Sequence, residues 1–344
     1  MTAISHTTHA RLGLMGNPSD GFGGRTITVQ ARDFGASATL EASSTLQIIP
    51  HPKHDPFEFD NIRALHHTAE QDGYYGGTRL IYATCKRFYD YCERYGVELP
   101  EKNFKLSYDT NIPRQVGLGG SSAIVVATLR VLMKFYGVTE DDIPLPIQPN
   151  LARSVETDEL EIKAGLQDRV AQIYGGLVYM DFDPEYMAAH EHGQYRRLPL
   201  ELLPPLYLAW VPHSTETSGR AHNRVHYRFE EGDEEVIAAM KQFADYAREG
   251  AEALEMRDVT RFAELMDANF DLRRKIYGDE VLGEQNLRMV RIAREHGMPA
   301  KFTGSGGAIT GVILDDSAIA DLQQALNAAG YDFRRVTPAG ANGI

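Results

Sequence analysis

The sequence predicts an α+β fold divided into two domains, and three observations carry that prediction. The chain has 344 residues, long for a single core and comfortable for two. Residues 9–49 hold strand-like runs separated by short gaps, the pattern of a meander or mixed sheet. From Tyr207 onward the order is strand, helices, strand, helix, strand, an α+β sandwich in ferredoxin-like arrangement.

Residues 9–15 alternate and read as a strand. The loop Gly16 to Gly24 follows, dense in turn formers and ordered only if something holds it. Three strand-like runs come next: Thr26–Ala31, Ala36–Glu41 and Thr45–Ile49. Residues 50–60 read as a loop rich in His, Pro and Asp. Its His51 and His54, and the pair His66-His67, lack the cysteine or carboxylate spacing of a metal site. A helix over Gly76–Tyr95 puts Leu80, Ile81, Thr84, Phe88 and Tyr91 on one face. A strand over Phe104–Thr110 leads into the run Gly117-Leu118-Gly119-Gly120-Ser121-Ser122-Ala123. There a helix begins, with Ile124, Val125, Leu129, Leu132 and Phe135 at helical spacing. Pro144 to Pro149 breaks the pattern before a helix over Leu151–Glu161, and a strand covers Leu177–Phe182. Residues 183–205 read as a connection, with a domain boundary near Leu198. Beyond it come a strand over Tyr207–Val211 and a polar stretch over His213–His226. His222 and His226 have i, i+4 spacing but no HExxH glutamate between them. A helix over Glu234–Met256 shows a core-facing stripe, and further helices occupy about 258–268 and 284–296. A second glycine loop, Gly304-Ser305-Gly306-Gly307, precedes a strand over Ile309–Leu314, a helix over Ser317–Ala329 and a strand over Tyr331–Val336.

Composition narrows the function. Hydrophobic residues make up 43% and charged residues 24%, a soluble globular balance. A formal net charge of −13 leaves no basic stripe for nucleic acid, although a local basic pocket still admits an anionic substrate. Cys85 and Cys92 lie seven residues apart in one predicted helix, unsuited to a disulfide, and read as reduced thiols. With no signal pattern at the N-terminus and no apolar run of membrane-spanning length, the expected location is the cytoplasm, away from membranes. The sequence is silent on oligomeric state.

The chemistry is concentrated in the first glycine run. Glycines let backbone N–H groups approach a ligand, and the first turn of a helix offers unpartnered N–H groups and positive potential. Strand, glycine loop, helix is the order of a phosphate site. The Walker pattern is absent, since no lysine follows a glycine here, and GxGxxG fails at Ser122. Asp33-Phe34-Gly35 spells the protein-kinase triplet without the motifs that accompany it.

Three separated stretches together resemble the GHMP kinases: Arg11 to Asp20, Pro113 to Ala123 with GLGGSSA, and Lys301 to Ala308 with TGSGGA. The resemblance spans nearly the whole chain. It implies a ribosomal-protein-S5-like N-terminal domain over 1–197 and a ferredoxin-like C-terminal domain over 198–344. It further implies an ATP- and Mg2+-dependent kinase with a small-molecule sugar substrate. By the same resemblance Pro113, Gly117, Leu118, Gly119, Gly120, Ser121, Ser122 and Ala123 bind ATP. Ser122 and Glu156 hold the metal, with Glu159 the alternative to Glu156. Asp168 is the catalytic base, Arg11 its partner, and Asn17, Asp20, Asp168, Ser305 and Gly306 meet the substrate. Within the family, GNPSD at Gly16 to Asp20, Tyr74-Tyr75-Gly76-Gly77, the segment Ala164 to Phe182 and Ser218 to His222 are most similar to the glucuronokinase branch. That branch implies phosphorylation of D-glucuronate at its anomeric hydroxyl. A carboxylate on the substrate needs a cation, with Arg220, Arg79 and Arg169 the candidates in that order. Galactokinases carry Glu-His where Asn17-Pro18 stands, which argues against galactose. The alternatives are a kinase for another sugar (a heptose phosphate, fucose or galacturonate) and a non-catalytic protein that binds ATP or sugar.

Overall fold

A computed structural model describes residues 3–72, 76–212 and 219–340; the side chains of 70–72 and 219–223 lie outside that description. The first half is built on two long strands, β1 (Ile4–Met15) and β2 (Arg25–Ser43), antiparallel from Ile4↔Leu40 to Met15↔Ile27. β2 is one strand where the pattern predicts two. Asp33-Phe34-Gly35 runs through its middle, and a register shift at His9/Ala10 takes up the irregularity. The 45–49 run contributes only β3 (Gln47–Ile48), parallel to β4 (Asn103–Thr110). β4 pairs with the second half of β2, and β5 (Leu177–Asp181) with the first. β6 (Gln194–Leu198) closes the sheet in the order β3-β4-β2-β5-β6, with β1 alongside β2.

Six helices accompany this sheet: α1 (Ile62–Asp72), α2 (Gly77–Tyr95), α3 (Gly120–Tyr136), α4 (Gln148–Ser154), α5 (Gln167–Tyr174) and α6 (Pro184–His190). α3 is buried without interruption from Ser122 to Met133 and packs on β1, β2 and α2. A helix apolar on every side is stable only in such a central position. The predicted 151–161 helix is instead α4 followed by a π-helical turn, Val155–Glu159. Pro149, predicted as part of a break, occupies the first turn of α4, where a missing N–H removes no helical bond. The stretch 183–205, predicted as connection, contains α6 and β6.

The second half follows β6 with β7 (Leu206–Trp210), α7 (Gly219–Glu230), α8 (Glu234–Glu255), α9 (Val259–Tyr277), α10 (Asp279–Leu282) and α11 (Glu284–Glu295). It ends with β8 (Lys301–Phe302), β9 (Ala308–Val312), α12 (Ile319–Ala328) and β10 (Asp332–Arg335). The strands form an antiparallel sheet in the order β10-β7-β9-β8, the ferredoxin-like arrangement expected. Asp233 and Asp258 cap α8 and α9 by accepting from Val236 N and Arg261 N. α9 runs nine residues past its predicted end at 268, and this extension carries Asn269 and Arg273 toward the first half.

The halves share a core. Ala247, Ala251 and Leu254 of α8 and Phe262, Leu265 and Met266 of α9 belong to the same apolar cluster as β1, β2 and α3. Backbone bonds cross as well: Gly13 N donates to Thr303 O at 2.9 Å and Ala339 N to Gln30 O at 2.9 Å. Lys301, 1% exposed, spends its ammonium on Gly13 O (2.8 Å), Asn17 Oδ1 (2.6 Å) and Phe302 O (2.8 Å). Burial holds its pKa well below the lysine range.

Candidate active site

A cleft of about 1470 Å3 opens where the three glycine-bearing motifs meet. Arg11 of β1 ties them together. Its Nε donates to Asp168 Oδ1 at 2.6 Å, and its Nη1 donates to Gly117 O at 2.7 Å and Thr303 O at 2.9 Å. The two glycine loops pack backbone to backbone: a Cβ on Gly304 would lie 2.5 Å from Gly117 O, and one on Gly117 3.0 Å from Ser305 N. Thr303 Oγ1 also donates to Gly117 O. Gly117 and Gly119 sit at φ +70° and +71°, the left-handed region that turns the loop into α3.

Pro113, Gly117, Leu118, Gly119, Gly120 and Ser121 line the cleft, whereas Ser122 and Ala123 lie buried behind it in the first turn of α3. Ser305 lines the cleft; Gly306, at φ +144°, stands just off its wall. Asn17, expected to meet the substrate, lines the cleft too, with its amide engaged by Lys301 and Phe302 O and its own carbonyl accepting from Asn269 Nδ2.

Asp168 stands in the first turn of α5, 2.6 Å from Arg11 Nε and 3.8 Å from Arg169 Nη1. Two guanidinium groups and the helix N-terminus thus surround its carboxylate with positive charge. Asp20 lies in the same cleft. Burial, and next the charge of Asp168, push its pKa up to about 7, while Arg11 and Arg273 oppose the rise. A carboxyl that ionises only near pH 7 in the folded protein contributes stability below about pH 4 and loses it as pH rises toward 7. Unfolding free energies of wild type and Asp20→Asn should therefore diverge between those limits, the variant gaining on wild type as pH rises. A difference constant from pH 4 to 8 would remove the shift.

Glu156 is 2% exposed and ion-paired with Arg169 Nη2, while Arg169 Nη1 donates to Gly165 O at 3.1 Å. The π-helical turn directs Glu156 inward. Its alternative, Glu159, faces Lys86 at 2.8 Å and does not line the cleft. Ser122 Oγ donates to Gly119 O at 3.0 Å. Both residues expected to hold magnesium have protein partners, but a donating hydroxyl keeps its lone pairs and Arg169 is paired with one of the two Glu156 oxygens, so Ser122 and Glu156 would hold the ion through oxygen, the donor type magnesium takes.

The cleft is basic within an acidic chain: seven Arg and Lys residues line it against four Asp and Glu. Arg79 and Arg169 are among them, and the side chain of Arg220 lies outside the described residues, as do Tyr74, Tyr75 and His222. Arg273, absent from the sequence-based candidates, lines the cleft from α9. Its position past the predicted helix end, in the run Arg273-Arg274-Lys275, reads in sequence as a solvated face.

His51, His54 and Asp109 cluster nearby with ligand atoms within 4.8 Å of one another. His51 Nδ1 accepts from Lys53 N and His54 N, leaving Nε2 to donate to Asp109. A metal-bound histidine donates through its second nitrogen, so this tautomer is that of a hydrogen-bonded ring. Cys85 and Cys92 are free thiols pushed up to about 12 and 11 by burial, which makes them unreactive. Among the described residues no helix is long and apolar enough to cross a membrane.

Comparison with known proteins agrees with this geometry. Residues 79–176 match the family described as GHMP kinases N terminal domain, and 251–332 match GHMP kinases C terminal. The chain is 46% identical to glucuronokinase 1 of Arabidopsis thaliana over 97% of its own length and 92% of that protein's. It is 50% identical to probable glucuronokinase 2 of the same plant over 89% and 83%. The crystal structure of Lactococcus lactis galactokinase complexed with galactose superposes with a TM-score of 0.76 at 18% identity, covering 99% of this chain and 95% of that one, a likeness of fold. With the two glycine loops closed around Arg11 and Asp168, the chain belongs to the GHMP kinase family, the ATP-dependent kinases of small molecules.

Proposed function

We propose that the protein is a sugar 1-kinase that transfers the γ-phosphoryl group of ATP to the anomeric hydroxyl of D-glucuronate. The observation that carries this is the Arg11–Asp168 pair set against the Gly117–Ser121 loop in one basic cleft. The kinship at 46% and 50% identity with two proteins named as glucuronokinases supports the choice of sugar.

In this reading the N–H groups of Gly119 to Ser121 and the start of α3 seat the nucleotide phosphates. Asp168 accepts the proton of the attacking hydroxyl. That oxygen bonds to the γ-phosphorus as the bond to the β,γ-bridging oxygen breaks, and ADP departs with the electron pair. Asp20 hydrogen-bonds the sugar.

The test is ADP release with ATP and magnesium against glucuronate, galacturonate, galactose, fucose, arabinose and a heptose phosphate. Selective turnover of glucuronate is expected. Turnover of another sugar would keep the kinase and discard the substrate; ATP binding without turnover of any would move the protein to the non-catalytic class.

A further inference from the structure

We infer that Arg273 is the specificity residue that reads the substrate's carboxylate, an inference resting on the glucuronate reading. Arg273 is 3% exposed yet lines the cleft, held between the rings of Tyr277 (5.3 Å) and Phe302 (5.2 Å). Nη1 donates to Gly304 O at 2.8 Å and Nη2 to Ser305 O at 3.2 Å, so the second glycine loop hangs from it. A guanidinium has five N–H groups, and Nε is a buried donor with no partner.

Its neighbours are compensated. Arg11 is paired with Asp168 and Arg169 with Glu156, but no carboxylate within ion-pair distance serves Arg273 among the described residues. A buried cation without an anion is costly unless a ligand supplies one. Two orienting carbonyls and two flanking rings fix the fork in place, the preorganisation that planar recognition of a carboxylate requires.

The location favours the sugar over the nucleotide. Asp20 feels the charges of both Asp168 and Arg273, so a ring resting on Asp20 has the base and this guanidinium within its reach. In a pyranuronate the anomeric hydroxyl and the carboxylate flank the ring oxygen. A site that presents the first to Asp168 therefore needs its cation about one sugar ring away. The phosphates have their own cradle at the start of α3, on a different element.

The experiment compares D-glucuronate with D-glucose, the same ring with a hydroxymethyl group in place of the carboxylate, in the wild type, Arg273→Met and Arg273→Lys. Wild type should prefer glucuronate in kcat/KM by about a hundredfold or more. Arg273→Met should raise KM for glucuronate at least about thirtyfold, leave KM for ATP within about threefold, and bring the preference below about tenfold. Arg273→Lys, which keeps the charge and loses the fork, should fall between; it carries the test if thermal unfolding shows the methionine variant misfolded. An unchanged sugar preference would overturn the inference and leave the glucuronate reading standing. So would a rise in KM for ATP alone, which would give Arg273 to the phosphoryl group. Wild type that ignores glucuronate would overturn both, and would do so before any variant is made.

Discussion

Asp168→Asn should lower kcat by about a thousandfold, within the range that a positioned general base supplies, while the fold survives. The substitution is nearly isosteric, and the amide oxygen still accepts from Arg11 Nε, now at 2.6 Å from a carboxylate oxygen. What is lost is the negative charge that receives the hydroxyl proton. A second effect separates this from a mere perturbation of shape. The charge of Asp168 is the second largest cause of the raised pKa of Asp20, so in the variant Asp20 should ionise at lower pH. Single-turnover measurement with saturating ATP, and the pH dependence of sugar binding, read the two effects. Near-full turnover by the variant would show that positioning alone runs the reaction.

Glu156→Gln should destabilise the protein by about 3 kcal/mol, the scale of removing one partner from a buried ion pair. Both side chains are almost fully enclosed, at 3% and 4% exposure, so solvent screening offers little relief. Arg169 would keep a neutral amide oxygen, Gly165 O and its distant neighbour Asp168 but lose its close counter-charge, and its Nε is already unpartnered. Burial, followed by the charges of Arg11 and Arg153, already pulls the Arg169 pKa down to about 9. Changing both members, Glu156→Gln with Arg169→Met, should recover much of the loss, because the buried cation goes with its anion. Denaturant unfolding of the single and double variants measures this; equal stability of wild type and Glu156→Gln would show that water or a metal shares the site.

The glycine motifs were legible because their chemistry is local: consecutive residues set the left-handed turns and start α3. The pairing of Arg11 with Asp168, 157 residues apart, came from resemblance, and no periodicity in the chain points to it. Asn17 is legible as part of a ligand loop and lines the cleft, but the Lys301 that holds its amide comes from the other end of the sequence and no local pattern points to it. Arg273 was invisible because a charged triplet near a helix end has the same pattern whether it faces water or a cleft. β2 was divided because Gly35 interrupts the alternation, and only pairing with β1 on one side and β4 and β5 on the other keeps the strand whole.

The three-way grip of Lys301 bears on how molecules enter and leave. Rocking the two halves apart would break its bonds to Gly13 and Asn17, the Gly13–Thr303 bond and the return of Ala339 to Gln30, and would split a common core. A clamshell hinge would therefore have to break these bonds and expose that core together. Among the described residues the cleft's irregular walls are 111–119, which leads into α3, and 160–166, which lies between the π-helical turn and α5. Sugar and nucleotide thus meet a frame whose two halves are already joined.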